Sequence, residues 1–203
     1  MKNLKLIVPT AVIAATLFSG CAQTSKYIDT SVQKQEAMTM GIDRQDFEKA
    51  AATMVESLLT SKALNKRGGG RYVVMISDIT NDTTQRLDTK MLTKKIRIAM
   101  LRSGKAIITT AVGTERDDTA QEVRKLRGNK EFKQNTIAKK NSLYAPELAL
   151  SGDILQRVAK TTKGDQLVEY YFQLTLTGIE SGLAFWEDES VVGKLGSNDT
   201  VTW

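Results

Sequence analysis

The chain reads as an α/β (α+β) domain: a mixed sheet of about five strands that ends in an antiparallel meander and is flanked by three to four helices. Three observations predict this. Apolar residues recur at spacings of three and four between residues 47 and 58, the mark of one helix face. A near-continuous β-branched run over residues 72 to 79 has the character of a buried strand. Strict apolar and polar alternation over residues 168 to 177 belongs to a strand with one buried face and one wet face.

The first helix opens at Asp43 or Asp46, with Phe47, Ala50, Ala51, Met54 and Leu58 on its inner face and Glu48, Lys49 and Glu56 elsewhere. Lys66 and Arg67 lead into Gly68, Gly69 and Gly70, a loop. These glycines precede a strand rather than join a strand to a helix, which is the wrong order for a phosphate cradle. The strand over 72 to 79 (YVVMISDI) gives way to a polar loop over 80 to 86 (TNDTTQR). Asp88 can cap a second helix over 89 to 102, with Leu92, Ile96 and Ala99 inward and Lys90, Lys94, Lys95, Arg97 and Arg102 outward. Two readings of that basic face stay open: a solvated helix surface, or a patch that meets an acidic protein or an anionic wall polymer. Gly104, the residue best able to turn left-handed, ends the helix, and residues 105 to 110 (KAIITT) form the second strand.

Residues 115 to 141 are strongly charged, and one or two short amphipathic helices are predicted there, anchored by Val123, Leu126, Phe132 and Ile137. Strands over 148 to 158 and 167 to 177 join across a polar, glycine-containing turn at 160 to 165. Tyr170 and Tyr171 then point to opposite faces. A third strand over 183 to 192 completes the meander, with Trp186 as a core residue. The element order is α-β-α-β-α-β-β-β, a sheet covered by helices. Residues 193 to 203 (GKLGSNDTVTW) have the composition of a flexible end.

The first twenty residues have the layout of a signal peptide: Lys2 and Lys5, an apolar run over 6 to 18 broken by Pro9, then Ser19 and Gly20 before Cys21. The run is too short to span a bilayer, which needs roughly twenty residues. Residues 17 to 21 (LFSGC) resemble the lipobox of bacterial lipoproteins, with Phe18 where that family usually has leucine. The resemblance implies a diacylglycerol on the Cys21 thiol. Ala22, rather than aspartate, follows the cysteine and implies the periplasmic face of the outer membrane. Residues 22 to 43 are polar and without a sustained period, so they are predicted to be a tether that reaches at most about 75 Å when fully extended. The organisation expected is therefore a signal peptide at 1–20, a lipidated flexible tether at 21–43, a folded domain at 44–195 and a flexible tail at 196–203.

Composition narrows the function. The chain has no histidine, and its one cysteine is the one assigned to lipid. Ser-His-Asp and Cys-His nucleophiles are thereby excluded, as are transition-metal sites built on imidazole or thiolate. The acidic residues sit mostly beside lysines and arginines, as solvated faces do, so no catalytic residue, cofactor, metal or small-molecule substrate is expected. Loss of Lys2 and Lys5 with the signal peptide lowers the formal charge from +6 to +4, too little to indicate a nucleic-acid partner. The expected chain is not an enzyme.

Four blocks carry a further resemblance: residues 46 to 59 (DFEKAAATMVESLL), 76 to 105 (ISDITNDTTQRLDTKMLTKKIRIAMLRSGK), 148 to 154 (LALSGDI) and 170 to 194 (YYFQLTLTGIESGLAFWEDESVVGK). In these the chain resembles the lipoprotein activators of penicillin-binding proteins, LpoB type. The resemblance implies a domain like the N-terminal domain of TolB, lipid-held at the outer membrane. It also implies a partner, a bifunctional (class A) penicillin-binding protein whose glycan polymerisation and cross-linking the lipoprotein stimulates. The best-known members have long proline-rich tethers, whereas this chain has only Pro9 and Pro146. That difference keeps a second reading open, a non-catalytic subunit of an envelope assembly such as a secretion or flagellar-associated complex. Polar loops at strand ends carry recognition on rigid scaffolds, so Asn81, Thr83 and Arg86 are the predicted partner contacts. The membrane is met through the lipid only.

Overall fold

The computed structural model describes residues 39–114 and 116–197, which belong to one unit spanning Ala37–Trp203. The signal segment, Cys21, most of the predicted tether and the tail from 198 onward lie outside the described residues.

The first helix, α1 (Arg44–Thr60), begins at a capping box. The Asp43 carboxylate accepts from the backbone N–H of Gln45 at 2.8 Å and of Asp46 at 3.2 Å, while Asp46 accepts from the Asp43 N–H at 2.7 Å. Donors that the first helical turn leaves without partners are satisfied in this way. The inner face of α1 is Phe47, Ala50, Ala51, Met54, Val55 and Leu58. A glycine loop leads to β1 (Tyr72–Asp82), followed by α2 (Thr89–Ser103) and the short β2 (Ala106–Ile108). Asp88 caps α2 by accepting from the Lys90 N–H at 3.0 Å, and Gly104 ends it at φ 68°, a left-handed conformation that a Cβ disfavours.

After α3 (Asp118–Lys125) come β3 (Leu148–Lys160), β4 (Gln166–Gly178) and β5 (Ala184–Gly196). The sheet order is β2-β1-β3-β4-β5. β1 runs parallel to both β2 and β3, and β3, β4 and β5 form the antiparallel meander. The mixed five-stranded sheet is thus the one the periodicities predict.

Both α1 and α2 pack on one face of this sheet. Val168, Tyr170, Phe172, Leu174 and Leu176 of β4 all point into that core, and Phe172 meets Phe47 edge to face at 6.0 Å. Trp186 is buried, as expected. On the other face Tyr171, Gln173 and Thr175 are half-buried, and Glu187, Glu189 and Val191 are exposed. Gly152 on β3 is required by its surroundings, because a Cβ there would collide with the Gln173 carbonyl and Leu174.

Four details differ from the sequence-based expectation. β1 continues through Thr80 and Asn81 to Asp82, which pair with Asp153, Ile154 and Leu155 of β3, so the first three residues of the predicted loop are ladder. Polar side chains suit that stretch because the strand there nears the sheet's rim. Val123 and Phe132 are not anchors: they are 47% and 44% exposed, and α3 buries no residue, leaving Ile137 as the buried member of that set. Residues 193 to 196 are not a flexible end but the last residues of β5, paired with β4 as far as Gln166 and Gly196. Finally, the C-terminal end of the predicted tether is packed, with Met40 and Ile42 in the hydrophobic core. Met40 is fixed further by the Tyr170 hydroxyl, which donates to its carbonyl at 2.9 Å in a buried bond.

Candidate partner-binding surface

The predicted contact residues lie where β1 turns into α2. Asn81, at the penultimate position of β1, accepts through Oδ1 from the Thr83 N–H at 3.2 Å and the Thr83 hydroxyl at 2.8 Å. Its amide donates to the Gln85 carbonyl at 2.7 Å. Thr83 Oγ1 in turn accepts from the Gln85 N–H at 3.2 Å. Both side chains are therefore spent on closing the turn, as asparagine and threonine do in such motifs. They position the loop. Arg86 differs: it is exposed and has neither ion pair nor hydrogen bond among the described residues.

Two further ties hold the turn to the rest of the domain. The Thr84 N–H and hydroxyl both donate to Gln156 Oε1 on β3, at 2.9 and 2.8 Å. The Gln156 amide nitrogen is left buried and without a partner among the described residues. On the opposite side, the Ile42 N–H donates to Gln85 Oε1 at 2.7 Å. A Cβ at Gly41 would collide with that Gln85 amide, so glycine lets the packed segment meet the turn with the Gln85 side chain in this position. The turn and the root of the N-terminal segment are consequently one rigid assembly.

Beyond Arg86 the exposed surface continues along α2. Met91, Ile98 and Leu101 are 44%, 38% and 51% exposed, and with Lys94 they form a stripe at spacings of three and four on the side away from the sheet. A recess of about 530 Å³ is lined by Asp88, Lys90, Met91, Lys94, Lys95 and Ile98. Lys95 is neutralised by Glu48 at 2.8 Å, and Arg44 reaches the same carboxylate at 2.7 Å. These two hydrogen-bonding cations, Lys95 first, hold the Glu48 carboxyl below its usual range. Among the described residues the cations on this surface without an ion pair are then Arg86, Lys90, Lys94 and Arg102, interleaved with apolar side chains and with Asp88 at the helix start.

Sequence reasoning gave the basic residues of this face and missed Met91, Ile98 and Leu101. The signal was present in their spacing, which is that of a second apolar stripe opposite Leu92, Ile96 and Met100. Cys21, the predicted lipidation site, lies outside the described residues. Among the described residues no cluster of three or more metal-ligating side chains occurs.

Fold and surface together define a two-layer α+β domain whose exposed chemistry is that of a protein-binding module. The chain belongs to the family described as the peptidoglycan-synthase activator LpoB, whose model matches residues 46–192. Among solved structures, the LpoB C-terminal domain from Salmonella enterica is similar at 16% identity, over 72% of this chain and 98% of that chain, with a TM-score of 0.43. The corresponding domain from Escherichia coli shares 17% identity over 73% of this chain and 99% of that one, at a TM-score of 0.41. Lipoprotein GNA1162 from Neisseria meningitidis shares 10% identity over 64% and 87%, at 0.36. Comparison with curated proteins gives no match.

Proposed function

We propose that this chain is an outer-membrane lipoprotein, acylated at Cys21, whose domain binds a bifunctional (class A) penicillin-binding protein and raises its rate of peptidoglycan synthesis. The observation that carries this reading is the family match, which runs from the first turn of α1 into β5 and so takes in nearly the whole folded domain. The domain itself acts by contact rather than by chemistry. Arg86 and the stripe of Met91, Lys94, Ile98 and Leu101 form the docking surface, and Asn81 and Thr83 hold the turn that presents Arg86. An interleaved apolar and cationic surface suits a partner patch that is itself apolar with acidic flanks, since charge steers the encounter and apolar contact slows release.

Two experiments test the reading. Labelling cells with a palmitate analogue should tag the chain in the membrane fraction, and Cys21→Ala should remove both the tag and the membrane association. Purified full chain should bind the periplasmic part of a bifunctional penicillin-binding protein from the same cell. Failure to bind any of them would refute the activator role.

One observation favours a second reading. Packing begins at least as early as Met40, so the segment between Cys21 and Thr39 has 17 residues and reaches at most about 60 Å. A shorter reach suits a non-catalytic subunit of an envelope assembly held near the outer membrane. Recovery of the chain with outer-membrane partners, and with no synthase, would favour that account.

A further inference from the structure

A second surface lies at the opposite edge of the sheet from β5, beside the edge strand β2. The Thr109 N–H donates to the Val74 carbonyl at 3.0 Å, so strand alternation directs the backbone groups of Ile108 away from β1 and outward from the sheet. Next to this edge is a groove of about 690 Å³ between β2, α3 and the segment leading to β3. It shares no lining residue with the recess beside Met91.

Its lining is apolar and cationic at once. Ile107, Leu143 and Tyr144 are 41%, 49% and 80% exposed, an unusual concentration of large apolar side chains on one surface. Three cations border it. Lys66 is neutralised by Glu147 at 2.5 Å, but Arg71 has no ion pair among the described residues, and Arg124 has only a hydrogen bond to Ser142 Oγ at 3.1 Å. Among the described residues the groove therefore keeps two guanidinium groups without an ion pair, beside a strand edge at which the Ile108 backbone can still pair.

We propose that this groove binds a short, extended, acidic segment of a protein partner, which adds to β2 as a further strand. Main-chain hydrogen bonds to Ile108 would supply affinity, as in other strand-addition complexes. Every second side chain of the segment would point into the groove, an acidic, an apolar and an acidic residue in turn, with the apolar one against Ile107, Leu143 and Tyr144 and the carboxylates on Arg71 and Arg124. Charge complementarity selects the occupant: a neutral or basic strand would leave both arginines unpaired against it. The inference stands independently of which enzyme the Arg86 surface meets.

Fluorescence anisotropy with the purified full chain tests this, using a labelled, blocked peptide of sequence Glu-Thr-Val-Thr-Glu as the probe, whose two carboxylates and valine share one face. The expected result is saturable binding that is weakened at least about tenfold by the double variant R71E/R124E, in keeping with the loss of charge-assisted hydrogen bonds. Of the two peptides of the same sequence N-methylated on one or the other alternate set of backbone nitrogens, the one methylated on the edge that meets β2 should bind unchanged protein at least about tenfold more weakly than the other. The lysine counterpart, Lys-Thr-Val-Thr-Lys, should not bind. Absence of binding by the acidic peptide would overturn the proposal. So would equal affinity for N-methylated peptides of both registers, or binding that R71E/R124E leaves intact. The N-methyl comparison uses unchanged protein and so keeps the test decisive if R71E/R124E is poorly folded.

Discussion

Lys194 Nζ lies 2.7 Å from Asp46 Oδ2, which ties the last strand of the sheet to the first turn of α1. The lysine side chain is 4% exposed and that of Asp46 12%, so this is a buried ion pair. The same ammonium group lies 3.3 Å from Asp43 Oδ2 and donates to the Gly41 carbonyl. A cation in β5 thereby closes the capping box of α1 and the root of the N-terminal segment in one contact. Removing one member of such a pair leaves the others buried without compensation.

Lys194→Met should therefore lower unfolding stability by about 3–5 kcal/mol, read from urea denaturation. The double variant Lys194→Met with Asp46→Asn should lose less than the sum of the two single changes, because the partners act together. Additive losses would show that the pair is not coupled.

The packed segment predicts a cost for truncation. Met40 and Ile42 are 4% and 9% exposed, and burial of each such side chain is worth about 1.5–3 kcal/mol. A chain starting at residue 39 should unfold at higher urea than one starting at 44, with a difference of about 3–5 kcal/mol. Equal midpoints would mean that residues 39 to 43 do not contribute to the fold.

Asn81 and Arg86 should separate in their effects. Asn81→Ala removes the bonds that close the turn and should cost about 1–3 kcal/mol of stability. Arg86→Ala should leave stability within about 0.5 kcal/mol, since the side chain is exposed and without a partner among the described residues, while weakening binding to the synthase. The checks are thermal melts beside a binding titration. A destabilised Arg86→Ala would contradict the assignment.

Acid should weaken the fold through Asp43. Burial pushes its carboxyl up, but N–H donors of Asp46 and Gln45 and the charge of Lys194 outweigh this and hold it below its usual range. A folded value below the unfolded one means that the ionised group stabilises fully above about pH 4–5, and that this stability is lost as pH falls through the folded value. Glu147 shifts the same way through Lys66 and the Val73 N–H. Stability measured from pH 7 to pH 3 should fall less for Asp43→Asn than for the unchanged protein. Parallel profiles would exclude Asp43 as a source of acid sensitivity.

What the sequence made legible was whatever repeats locally. The inner face of α1, the alternation of β4 and the Gly104 stop follow from short-range spacing, and the structure has all three. What it hid depends on residues far apart in the chain. Met40 and Ile42 lie in a mostly polar stretch without a sustained period, and the bonds that fix them there come from Tyr170 and Lys194, more than 120 positions away. Lys194 itself, between glycine and leucine near the end, has no local mark of burial. The turn-closing bonds of Asn81 and Thr83 were hidden as well, because the residue types that close turns are also those that recognise partners. Val123 and Phe132 misled for the opposite reason: apolar spacing on a short, highly charged helix does not ensure that anything packs against it.

The most direct test of the account is the glycan polymerisation rate of a bifunctional penicillin-binding protein from the same cell, measured with and without the purified full chain. The account predicts that the chain raises the rate, and that a variant combining Arg86→Ala, Met91→Ala and Ile98→Ala, folded by its thermal melt, raises it far less. An unchanged rate with the unaltered chain, or full stimulation by the triple variant, would contradict it.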